Sequence, residues 1–118
     1  MAEVFVPDNL VAGSNFPLVR GALVVASGTG VAERGMVLGL RPDGKAVPVL
    51  CGATDGSDRV YAVLADSVDA TAADATATGY FTGEFAESQL RFGGTDTADM
   101  HRVSARYAGI FFCKTVAA

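Results

Sequence analysis

The stretch Val60–Phe85, VYAVLADSVDATAADATATGYFTGEF, constrains the fold of this chain more than any other. An apolar strand, Val60–Ala65, runs into an aspartate-marked bend and then an Ala/Thr spacer at Asp69–Asp74. A second strand follows, at about Thr76–Thr82 and ending Gly-Glu-Phe. The same grammar holds upstream. Val19–Ala26 reads as a strand, Ser27-Gly-Thr-Gly30 as a turn and Gly35–Leu40 as a strand. Pro42-Asp-Gly-Lys45 is a tight turn joining Met36–Leu40 to Ala46–Leu50, with the Asp-Gly tip that hairpins favour. Thr54–Asp58 makes a further loop, and the chain closes with a strand at Gly109–Val116. Short strands with glycine at nearly every break predict a mainly β domain.

One helix interrupts this pattern. Asp96 or Thr97 can cap its start, Asp99 suits its first turn and Gly109 suits its exit. Met100, Val103 and Tyr107 share a face at i, i+3 and i+7. Arg102 and Arg106 stand toward the C-terminal end, where positive charge opposes the macrodipole. His101, the single histidine, points away from the Met100/Val103 face and is expected on a solvated surface. A shorter turn is expected at Ala86–Leu90.

At 118 residues the chain has the length of one domain, with no internal repeat. Half the residues are apolar, 19% are charged, and mean hydropathy is +0.33. No run approaches the roughly 18–20 apolar residues of a membrane span. Abundant Ala and Gly raise the apolar count, but a chain this apolar is also expected to cover surface against a partner, which favours an oligomer. The net charge is -4 and the nine basic residues are scattered, so nucleic acid is not an expected partner. Glu3 and Asp8 stand where a signal peptide would carry positive charge, so a cytoplasmic origin is expected. Cys51 and Cys113 fit neither a CxxC pair nor a zinc site and are expected as free thiols.

Few residues suggest chemistry. His101 has no Gly-x-Ser-x-Gly elbow to serve. Ser27–Gly30 lacks the lysine and following helix of a phosphate loop. Asp55, Asp58, Asp66, Asp69 and Asp74 lack calcium-loop spacing, and aspartates beside Gly and Ser usually shape turns. Glu84 and Glu87 could form an acid/base pair, but read equally as surface charges. No catalytic residue, metal site or cofactor is expected.

Residues 1–20 stand apart. Glu3-Val-Phe-Val-Pro7 alternates like a strand, and Leu10–Leu18 follows as an extended segment around Pro17. Such a segment is either draped on its own domain or held ready for another chain.

In order and spacing, Arg34-Gly-Met-Val-Leu-Gly39, Val60–Phe85 and Ala108-Gly-Ile-Phe-Phe112 resemble the head decoration proteins of tailed bacteriophages, the lambda protein D family. The likeness covers residues 10–116. It implies a β-clip-like core with one or two short helices, an extended arm at residues 1–20 and a β-rich decoration domain at 21–118. It also implies a homotrimer that binds the major capsid protein on the outside of the expanded head, at threefold and quasi-threefold positions. There it would stabilise the shell against packaged DNA, after assembly in the host cytoplasm. The arm residues that would meet the capsid are Val4, Phe5, Val6, Leu10, Val11, Phe16, Pro17 and Leu18. The arm is shorter and more apolar than the polar tail of lambda protein D. Two other readings stay open. One is a different trimeric virion binding module. The other is a dUTPase-like β-clip hydrolase, whose signatures are not found in this sequence.

Overall fold

Consecutive apolar residues in the middle strands send side chains to both faces, so those strands must be covered on two sides. The computed structural model describes residues 18–50, 52–94 and 96–113. Its elements are β1 (Val19–Val25), β2 (Gly30–Ala32), β3 (Val37–Leu40), β4 (Ala46–Pro48), β5 (Ala62–Leu64), β6 (Val68–Ala70), β7 (Ala75–Ala86), a 3-10 turn (Glu87–Gln89), α1 (Ala98–Ala108) and β8 (Ile110–Cys113). The protein is mainly β. No helix among the described residues is long and apolar enough to cross a membrane.

The main sheet runs β1-β4-β3-β5-β7-β8, and β1 also pairs with β7, so five strands close on themselves. Closure is narrow at β1–β4, a parallel contact through Val25 and Ala46, where the Ala26 N–H donates to the Ala46 carbonyl at 2.9 Å. Strand β7 is the spine. Its Ala75–Thr82 portion pairs antiparallel with β1, Gly79 and Tyr80 pair with β5, and Gly83–Ala86 carries β8 in parallel.

Two apolar clusters result. Val37 and Val63 join Val49, Phe85, Ile110 and Phe112 in one. Leu38, Ala62 and Leu64 join Leu23, Val25, Ala32 and Ala70 in the other. Neighbouring residues of β3 and β5 thus serve different clusters, as a period of two requires. Helix α1 and β8 cover the first cluster. Strand β1 and a separate two-stranded ribbon, β2–β6, cover the second.

The expected strands at β1, β3, β5 and β8 are present, and Asp43-Gly44 is the hairpin tip, with Gly44 at φ +86°. The Asp43 carboxylate accepts the Lys45 N–H at 3.1 Å and holds that turn. The ribbon was not expected. Most of the Asp69–Asp74 stretch is a loop, but Asp69 and Ala70 belong to β6. Each ribbon strand has three residues and turns an alanine, Ala32 or Ala70, inward, too little apolar periodicity to read. Strand β7 runs through the expected Gly-Glu-Phe end to Ala86. Gly83, at φ +146°, lets it continue past the point where Leu18 crowds it.

Gly39 in β3 faces the backbone of Ser57, and a Cβ there would overlap the Ser57 carbonyl oxygen. Backbone cannot yield as a flexible side chain can. Gly39→Ala should therefore cost about 1–3 kcal/mol, seen as a lower denaturant midpoint at unchanged m-value. An unchanged midpoint would contradict this packing.

Candidate functional site

Helix α1 is the element whose orientation sequence periodicity misjudged. Its inward residues are Ala98, His101 and Ala105, while Met100, Val103 and Tyr107 are 55%, 63% and 90% exposed. The expected solvated histidine is in fact 1% exposed. Size accounts for the reversal. Alanines at 98 and 105 let the helix approach Phe85, Leu90, Ile110 and Phe112 closely, which Met, Val and Tyr on that face would prevent.

A polar clasp satisfies the buried imidazole. His101 Nε2 lies 2.7 Å from Asp96 Oδ2, and the carboxylate is itself nearly buried. The ring stacks on Phe92 with centroids 5.6 Å apart and planes 7° apart, and Phe92 meets Phe112 edge-on. The Asp96 carboxylate is engaged with His101, and Thr97, at the N-cap position, makes no side-chain cap bond. His101 is a packing fixture without access for a substrate.

Arg102 fixes the helix from the side. Its Nη2 reaches Glu87 Oε1 and Asp99 Oδ1, both at 2.7 Å, and its Nη1 donates to the Phe112 carbonyl. These carboxylates hold the guanidinium pKa above its ordinary value. Glu87 therefore belongs to the clasp, not to an acid/base pair with Glu84. Gly109, at φ +84°, ends the helix as expected.

The outward face of α1 borders an open groove of about 640 Å³, lined by Arg59, Val60, Val103, Ser104, Tyr107 and Ala108. Its two walls are tied where Ser104 Oγ accepts the Val60 N–H at 2.8 Å. Among the described residues, Arg59 and Arg106 make no ion pair.

A second apolar surface lies where the chain enters β1. Leu18 and Val19 are each about half exposed, and Leu18 packs on Gly83. The Gly83 N–H donates to the Gly109 carbonyl at 3.1 Å, so this entry adjoins the end of α1. Leu18 is the one expected capsid-contact residue inside the described region. Val4, Phe5, Val6, Leu10, Val11, Phe16 and Pro17 lie outside it.

The loop aspartates shape turns. Hydrogen bonds from Ser57 hold Asp55 below the ordinary carboxylate range, and bonds from Thr71 do the same for Asp69. Asp74 is held down by Lys45 and by the Ser27 N–H, so it braces the Ser27–Gly30 turn. Among the described residues no three His, Cys, Asp or Glu side chains are placed to hold a metal. Cys113 is a free thiol whose pKa is raised by burial and by the Glu84 carboxylate. Cys51 lies outside the described residues.

The features of this surface are structural: apolar faces, ion-pair clasps and a sealed histidine. The family model of the bacteriophage lambda head decoration protein D matches residues 2–108. The chain belongs to that family. No individual curated protein matches it. As a head decoration protein it is a structural component that binds the phage capsid and resides on it. The match spans the five strands that close on themselves, the ribbon and all of α1, so both apolar surfaces fall within it.

Two substitutions separate the inner and outer faces of α1. His101→Ala should cost about 2 kcal/mol or more, by removing a charged hydrogen bond to a buried carboxylate and leaving a cavity. In the monomer, at concentrations too low for assembly, Tyr107→Ser should stay within about 0.5 kcal/mol, as surface changes do. Chemical denaturation of both variants checks this, and equal losses would contradict the orientation of the helix.

Proposed function

We propose that this protein cements the expanded phage head from outside, binding as a homotrimer at threefold and quasi-threefold positions of the major capsid protein lattice. The family match over residues 2–108 carries this reading. Two apolar surfaces left exposed among the described residues support it, because a decoration trimer needs one contact for its own copies and another for the shell. The net charge of -4 also suits the outer face, since a basic lining would be expected toward the genome. The trimer, assembled in the host cytoplasm, stabilises the shell against packaged-DNA pressure by clamping neighbouring subunits. It has no enzymatic role, and no nucleic acid or membrane takes part.

The shell contact is assigned to the arm, residues 1–20, with 21–118 as the decoration domain. Val4, Phe5, Val6, Leu10, Val11, Phe16, Pro17 and Leu18 alternate between breakers, a pattern suited to adding a strand to an exposed sheet edge. In that mode main-chain bonds supply affinity and alternate side chains fill pockets. Ordering one arm costs roughly 2–5 kcal/mol, so a single arm binds weakly. Three arms on one trimer act together.

Removing residues 1–17 tests the assignment. The domain should stay folded while binding to expanded heads falls by roughly 10²–10⁴, the avidity that linked contacts supply. Phe5→Ser or Phe16→Ser should weaken binding partway. A truncated chain that decorates heads as tightly as the full one would move the capsid contact elsewhere.

A further inference from the structure

The helix groove and the β2–β6 ribbon have complementary characters and sit over different apolar clusters. The groove is apolar at Val60, Val103, Tyr107 and Ala108, with the exposed Arg59 in its lining and the exposed Arg106 next to Tyr107 along the helix. The ribbon is the converse. Val31, 62% exposed, stands at its centre, paired across the ladder with Asp69, and Asp66 and Glu33 are exposed beside it. Asp69 Oδ1 accepts both bonds from Thr71, which leaves Oδ2 uncommitted among the described residues. Asp66 and Asp69 make no ion pair there, whereas Glu33 reaches Arg91 at 3.3 Å.

We infer that the ribbon of one copy docks in the helix groove of the next, with Val31 against Val103 and Tyr107 and with Asp66 and Asp69 facing Arg59 and Arg106. The inference rests on the homotrimer reading and names its contact surface. Geometry favours a second copy as the occupant. Within one molecule, Ala98 and Ala105 of the helix belong to the first cluster, and Ala32 and Ala70 of the ribbon to the second. The two surfaces cap opposite sides of β3 and β5, so they meet only between molecules. A contact between unlike patches is head-to-tail, and such contacts generate rings when the rotation closes. Charge supplies the match: opposite signs at the rim fix register and steer encounter, while the apolar centre excludes water.

The test uses the full chain and two exposed-surface variants, Val103→Asp/Tyr107→Asp on the helix and Val31→Asp/Asp69→Lys on the ribbon. Circular dichroism melts confirm that both fold, and sedimentation over a range of concentrations reads their assembly. If the free chain is monomeric, crosslinking on decorated heads gives the same comparison. Each variant alone should self-associate about thirtyfold more weakly or worse, as placing a charge at the apolar centre of an interface implies. An equal mixture should restore one junction and give dimers but no closed ring. A charge swap controls for misfolding: Arg106→Asp and Asp69→Arg should each weaken assembly alone and restore it when combined in one chain. If the wild type forms trimers and both double variants do too, the inference fails while the homotrimer stands. If the wild type forms no trimer in solution or on heads, the homotrimer reading fails, and this inference with it. Trimers lost only on removal of residues 1–17 would overturn the ribbon as occupant and give the groove to the arm.

Discussion

The fold depends on burying β3 and β5 on both faces. Val37 and Val63 point one way while Leu38, Ala62 and Leu64 point the other, so no single layer could shelter them. Every other element is then a cover. Strands β1 and β7 close the ring, α1 and β8 seal one cluster, and the ribbon seals the second. A 118-residue chain has little apolar material to spare for such a plan, and it succeeds by using small residues where elements approach. Gly39 admits the Ser57 backbone, Gly79 admits Leu23, and Ala32, Ala70, Ala98 and Ala105 let the covers lie close.

Small residues inside leave large ones outside. The alanines of α1 face the core, so Met100, Val103 and Tyr107 face solvent. Exposed apolar side chains in this grouping are a feature of interaction surfaces rather than of monomers. The clasp of His101 with Asp96, and of Arg102 with Glu87, Asp99 and Phe112, prevents the helix from rolling to hide them. Local packing thus keeps this apolar face exposed, which suits a protein that completes its burial on a particle.

Much of this was legible in the sequence. Strand positions, the Asp-Gly hairpin, the helix and its Gly109 exit follow from periodicity and turn chemistry, and the decoration family shows in the order of the glycine and apolar motifs. The ribbon was not legible, because three-residue strands with one inward alanine carry no periodic signal. The inner face of α1 was misread for a different reason. Hydrophobicity ranks Met, Val and Tyr above Ala and His, but the groove beside β8 selects for size, and Asp96 supplies the partner that makes a buried histidine acceptable. The spacing of Asp96 and His101 with an aromatic at 92 was the available signal. The proposed capsid-contact arm is a different matter. Its pattern reads from sequence, but of its expected contact residues only Leu18 falls among those described.

The central claim is that this chain decorates the outside of the expanded head as trimers. A single electron-microscopy map of the parent particle, compared with one from heads assembled without this protein, tests it most directly. The account predicts protruding density of three copies at the threefold and quasi-threefold positions, absent from the second map. Identical outer surfaces in the two maps, or density confined to other symmetry positions, would contradict it.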